Sequence, residues 1–253
     1  MKKHRAQSFV EFALVLPILL LILLGVVELT FFIGTYINLV DLTREAARFA
    51  SNRDPFTPTG TQTCTPSASK LFDFFYDTSC IFSPLEGNPS CVANDPFCNG
   101  FNSTVPLKPY EDDILIYVFT ESAITVTQNG TPVLQPVISS NILCNVSTTG
   151  GCVPWAWSNH DADTTHNTNW RRECNSLTTP GTSTPSFTPA IIQSYLSSGA
   201  MPDKGFVVVE VVYCYHQALN IPILSNFLPN PIKIDTYSIM PLPAAQPTPV
   251  PTP

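Results

Sequence analysis

Charge is scarce in this 253-residue chain: Asp, Glu, Lys and Arg make up 12% of it, about half the share of an ordinary soluble protein. Glycine is scarce too, with 11 residues against 25 prolines. Lys and Arg number 12 against 19 Asp and Glu, a formal net charge of -7 that argues against broad electrostatic binding to nucleic acid. There is no nucleophile elbow, no phosphate-binding loop, no His-Glu-x-x-His helix and no repeat of regular period. The expectation is therefore a non-enzyme without a cofactor. With 44% hydrophobic residues the chain is too apolar for disorder throughout, and too poor in charge for a wholly soluble cytosolic domain. Its length admits one ordinary domain or two small ones.

The apolar residues are concentrated at the start. Residues 12–27, FALVLPILLLILLGVV, contain no polar side chain, and only Glu28 and Thr30 interrupt the run before Tyr36. A bilayer core needs roughly 20 apolar residues in a helix. Residues 12–37 meet that if Glu28 lies near one interface. A buried core helix would pass the same length test but ordinarily keeps a polar face. A cleaved secretory signal fits less well, because no small-x-small site follows the run. Lys2, Lys3 and Arg5 precede the segment closely, whereas Arg44, Arg48 and Arg53 follow at a distance. The N-terminus is therefore expected in the cytoplasm and the remainder outside.

Beyond the apolar run the pattern stays helical. Phe32, Thr35, Leu39, Leu42, Ala46 and Phe49 recur every three or four residues, with Asp41, Arg44, Glu45 and Arg48 on the other face. Pro55 ends the helix after Asn52. A helix over 7–52 is roughly 70 Å long, more than twice the hydrocarbon thickness. Its outer part needs cover for the apolar stripe.

Eight cysteines, Cys64, Cys80, Cys91, Cys98, Cys144, Cys152, Cys174 and Cys214, all follow the apolar segment. An even count beyond a membrane segment points to disulfides. Eight allow 105 pairings, and spacing does not choose among them. Free or mixed thiols are the second reading. Metal binding is the weakest, because no Cys-x2-Cys pair occurs.

The residues at the mouth of the apolar run are more specific. A basic leader ends in the small residue Ala6, and Glu11 follows five residues later. This resembles the prepilin signal of type IV pilin-like proteins. The longer string QSFVEFALVLPILLLILLGVVEL, followed by YINLVDLTREAARFAS, is similar to the TadE-like family of tight-adherence pilus assembly. The resemblance covers about residues 5–51. It implies cleavage by a prepilin peptidase between Ala6 and Gln7, other pilin-like subunits and the pilus assembly machinery as partners, and an assembly role for Glu11. The family usually has glycine where Ala6 stands.

Elementary electrostatics gives the same residues a logic. A carboxylate within a bilayer costs about 2.5–3.5 kcal/mol on insertion scales unless it is paired. A cut after Ala6 frees an α-amino group at Gln7, which Glu11 of a neighbouring subunit can pair with. The competing reading leaves Glu11 solvated among headgroups. Glu28 has the same two readings, and there the solvated interfacial one is preferred. Pro17 bends the helix or thins its hydrogen bonding.

The remainder reads as an irregular α+β exodomain with a mostly antiparallel sheet and long disulfide-linked loops. Strands are expected at 113–120, at 124–127 with an Asn129-Gly130 turn into Val133 and Leu134, at 205–218 and at 232–240. Pro132 suggests an edge strand, and the apolar 205–218 a central one. Short helices are expected near 69–76 and after Thr188-Pro189. Stretches 55–66 and 175–189 read as surface loops. The tail 241–253, PLPAAQPTPVPTP, reads as an extended or disordered arm. His160, Asp161, Asp163 and His166 cluster, but they miss the calcium-loop template and read as a polar loop. Cys214 and His216 share a strand face, where a structural cysteine is favoured over a nucleophile.

The expected organisation is a leader at 1–6, a transmembrane and amphipathic helix at 7–52, an extracytoplasmic domain at 53–240 and a Pro-rich tail at 241–253. The expected function is that of a single-pass, membrane-anchored, pilin-like structural protein. The alternative is an anchored ectodomain that binds a surface ligand and never enters a filament.

Overall fold

The computed structural model describes residues 4–55, 74–82, 105, 107, 111–128, 131–139, 145–146, 152–157, 174, 186–195, 205–220 and 229–243. The Pro-rich residues 244–253, the His160, Asp161, Asp163 and His166 cluster, and Cys64, Cys91, Cys98 and Cys144 lie outside these residues.

Helix α1, His4–Ser51, is one element of 48 residues, and Pro17 lies inside it without ending it. It starts within the segment read as a leader, and Asn52 N–H to the Phe49 carbonyl (3.3 Å) closes its last turn. At 1.5 Å per residue it is about 72 Å long. Its two halves have different surroundings. From Val10 to Leu20 every side chain is exposed. From Glu28 onward one face is buried, carrying Glu28, Leu39, Leu42, Thr43, Ala46, Ala47 and Ala50. The i, i+3, i+4, i+7 spacing puts these residues on one stripe. The alanines let the helix axis approach the sheet closely.

Helix α2, Phe74–Ser79, is followed by a 3₁₀ turn at Cys80–Phe82. It sits C-terminal to the expected 69–76, and 69–73 fall outside the described residues. Strand β1, Asp113–Gln128, is a single strand of 16 residues where two short ones were expected. Its first part, 113–119, pairs with β6 (Gly205–Tyr215), and 120–128 pair with β2 (Thr131–Ser139). One strand serves two partners in turn, so the polar residues between its two apolar stretches do not end it. Gln128 opposite Thr131 leaves a two-residue connection at Asn129-Gly130.

Two short strands, β3 (Asn145–Val146) and β4 (Cys152–Val153), pair with each other. Strand β5, Trp155–Ala156, pairs with β1. Helix α3, Pro189–Tyr195, starts as expected. Thr188 Oγ1 accepts the Ile191 N–H (3.3 Å), and the Thr188 carbonyl accepts the Ile192 N–H (3.0 Å). Strand β7, Ile232–Leu242, completes an antiparallel sheet of order β2-β1-β6-β7. Pro132 lies in an edge strand and β6 lies inside, both as read. The expected tail starts too early: Pro241 and Leu242 belong to β7, where Leu242 is fully buried opposite Gly205. Pro241 is tolerated because β7 is an edge strand.

Alternation along β6 explains its burial on both faces. Val207, Val209, Val211 and Tyr215 join the α1 stripe, Ile114 and Ile116 in the main core. Val208 faces a second cluster with Tyr117, Phe187 and Ile192. Glu210 is fully buried, and it accepts Tyr117 OH (2.7 Å) and Ser186 Oγ–H (2.6 Å). Burial of a carboxylate is tolerable only with such donors. On the helix side, the Thr43 hydroxyl donates to the Leu39 carbonyl (2.6 Å), leaving its oxygen to accept from Thr236 (3.0 Å).

Candidate functional site

The site is built where α1 passes from its exposed half to its packed half. Glu28 was expected to be solvated at an interface; instead it is buried, with 8% of its surface exposed. Its Oε1 accepts Tyr215 OH (2.8 Å) and Ala218 N–H (2.8 Å), and its Oε2 accepts Leu219 N–H (2.8 Å). These donors come from the last residue of β6 and the turn after it. Asn220 takes φ 43°, a left-handed conformation that asparagine tolerates better than most residues, and so turns the chain sharply. The turn is tied to the start of β7: Asn230 Oδ1 accepts Gln217 N–H (3.2 Å), and Asn230 Nδ2 donates to Asn220 Oδ1 (3.3 Å). Phe32, one turn above Glu28, meets the Tyr215 ring edge-on at 5.4 Å.

The arrangement shapes the titration of the tyrosines. Burial, then the hydrogen bond and charge of Glu28, push Tyr215 up to about 12. Tyr213 is pushed up to about 12 by burial first, then by the charges of Asp112 and Glu111. Both folded values lie above the unfolded value of 10, so folding favours the neutral phenols. Their contribution is complete below pH 10 and is lost as pH rises through 10 to 12. Alkaline titration of the detergent-solubilised protein should therefore show stability falling in that window. Tyr215→Phe should make the fall shallower, Tyr213 supplying what remains. An unchanged profile would show that Glu28 does not hold the phenol neutral.

The other side chains singled out in the sequence separate in space. Ala6 and Gln7 lie at the start of α1. Glu11 stands on the exposed half of the helix, 17 residues before Glu28. Cys174 and Cys214 form a disulfide, Cys80 is also disulfide-bonded, and no cysteine is free among the described residues. This removes the thiolate that a Cys214–His216 nucleophile would need. His216 lies past the end of β6, with its Nε2 2.5 Å from Glu111 Oε2. Asp112 Oδ1 accepts the Cys214 N–H (2.8 Å), fixing the strand where the disulfide attaches.

Reading the sequence missed Tyr215, Ala218 and Leu219 as the partners of Glu28. The available signal was a carboxylate late in an apolar run, which demands a partner if it is buried. Nothing local names a partner 187 residues away.

Chemically, the site is a clamp that fixes the sheet domain at one height on a helix long and apolar enough to cross a membrane. The fold also carries a family signature: residues 6–48 match the family model described as TadE-like protein. No curated protein and no solved structure matches the chain.

Proposed function

From a TadE-like N-terminal helix with a domain locked to its outer half, we propose that the chain is a membrane-anchored, pilin-like structural subunit. It contributes to assembly of a tight-adherence, type IV-related pilus. The observation that carries this reading is the family match over 6–48, which falls on the helix whose side chains from Val10 to Leu20 are exposed and, Glu11 aside, apolar. In this reading the N-terminus faces the cytoplasm and the sheet domain is extracytoplasmic, supported by the basic leader and by the disulfide on the exodomain side. A prepilin peptidase cuts between Ala6 and Gln7. Glu11 of one subunit then pairs with the new amine of its neighbour, which offsets the cost of a carboxylate at the membrane edge.

N-terminal sequencing of the mature protein tests this. The expected start is Gln7, and Ala6→Phe should leave the leader intact, because a bulky side chain does not fit a pocket that takes a small one. Glu11→Gln keeps size and hydrogen bonding; it should leave processing intact while reducing pilus assembly. Normal maturation of Ala6→Phe would mean that the cut is elsewhere or absent. Together with an intact wild-type leader, that would favour a plain anchored ectodomain that binds a surface ligand. Wild-type assembly by Glu11→Gln would return Glu11 to a solvated headgroup role.

A further inference from the structure

The two faces of α1 change character at different heights. On the side facing the sheet, contact with the sheet domain begins at Glu28 among the described residues. Around the rest of the helix, Leu29, Phe31 and Tyr36 on the flanks and Ile33 and Ile37 on the opposite side are all about half exposed, from 46% to 55%. Beyond Glu28, charge appears on the side away from the sheet domain only from Asp41, where the pairs Asp41–Arg44 and Glu45–Arg48 begin. The exposed surface from Val10 to Ile37, apolar but for Glu11 near its start and Thr30, is about 42 Å long at 1.5 Å per residue. That exceeds a hydrocarbon core of about 30 Å and matches a bilayer of about 40–45 Å with its headgroups.

The exodomain thus meets the helix about 13 Å below the upper end of this apolar surface. Helix tilt accounts for part of the offset. At the average tilt of about 20°, opposite sides of a helix about 10 Å wide leave the membrane only about 4 Å apart in height. The remainder is at least the depth of a headgroup layer. Tyr36, near the top of the band, is the residue type that collects at that layer.

We propose that the turn after β6 is a second membrane contact, with Leu219 immersed in the interfacial layer of the outer leaflet beside α1. The proposal rests on the reading that α1 spans a bilayer. Leu219 is 38% exposed at the base of the exodomain, while its backbone N–H is held by Glu28. The sequence from 219 to 228, LNIPILSNFL, carries no charge; beyond Asn220 it lies outside the described residues. Glu28 is 8% exposed within the protein, and the turn supplies the hydrogen bonds that water would give.

The test uses the full chain in phosphatidylcholine vesicles containing phosphatidylglycerol. Leu219→Trp reports the turn, and Leu20→Trp reports the middle of the span. Emission is read as the difference from the unsubstituted protein, with its three native tryptophans. Lipids brominated near the headgroup should roughly halve the added Leu219→Trp emission, and lipids brominated deep in the chains should do so for Leu20→Trp. If Leu20→Trp is quenched while Leu219→Trp is not, the proposal fails alone. Red emission would then place the turn in water, and blue emission would place it against a second copy of the chain. If neither is quenched, the spanning helix fails and the proposal fails with it.

Discussion

Glu28→Ala is expected to destabilise the packing of the sheet domain on α1 by about 3–5 kcal/mol, the cost of removing one partner from a buried, hydrogen-bonded charge site. Three donors lose their acceptor together: Tyr215 OH, Ala218 N–H and Leu219 N–H, each at 2.8 Å. Tyr215 is only 5% exposed, so water replaces the lost bond poorly. Glu28→Gln keeps one acceptor oxygen but turns an amide donor toward donors, so it should fall between alanine and the wild type. Tyr215→Phe removes one bond and should cost about 1.5–3 kcal/mol, the range for a hydrogen bond to a charged group. A double-mutant cycle between Glu28 and Tyr215, read by denaturant unfolding in detergent, should give a coupling of about 0.5–3 kcal/mol. If Glu28→Ala costs less than about 1 kcal/mol, the apolar stripe alone holds the helix.

Removing the Cys174–Cys214 bridge by a double serine substitution should cost about 4 kcal/mol. The bridge spans 40 residues, and loop-closure entropy of the unfolded chain sets that scale. Replacing both cysteines avoids leaving one thiol to attack another disulfide. Cys214 is held in β6 beside the clamp, so the loss should also loosen the turn that grips Glu28. The shift is read as a change in the denaturant midpoint, and protease sensitivity between β6 and β7 should rise with it. An unchanged midpoint would show that the unfolded chain is already constrained there, by the bond at Cys80 or by residual structure.

Much of the architecture was legible because periodicity is a local signal. The stripe of Leu39, Leu42, Ala46 and Phe49 announced a packed face, and the apolar 205–218 segment announced a strand covered on both sides. Pro132 marked an edge and Thr188-Pro189 marked a helix start. Errors arose where long-range pairing overrides local chemistry. Thr120, Glu121 and Ser122 look like a break, yet pairing with β2 carries β1 straight through them. Pro241 looks like the start of a tail, yet the pairing of Leu242 with Gly205 and its burial keep the strand going. The candidate site divided along the same line. Ala6, Gln7 and Glu11 were singled out by resemblance to the prepilin signal, and their roles belong to the proposed function. Glu28 was seen but misplaced, because its partners lie 187 to 191 residues away.

The clamp has a mechanical consequence. Glu28 holds the C-terminal end of β6, and Thr43, four turns further along α1, meets Thr236 further along β7. The helix therefore runs along the sheet, with β7 and against β6, and tension along it reaches the sheet as shear distributed over both attachments. A domain hung from a single point would peel; this one has to slide as a block, breaking a buried carboxylate site and a buried hydroxyl pair in the same event. Torque is transmitted as well, since two attachments at different heights on one rod prevent free rotation about it. Any push, pull or twist applied to the exposed half of α1 therefore arrives at the sheet domain with little slack.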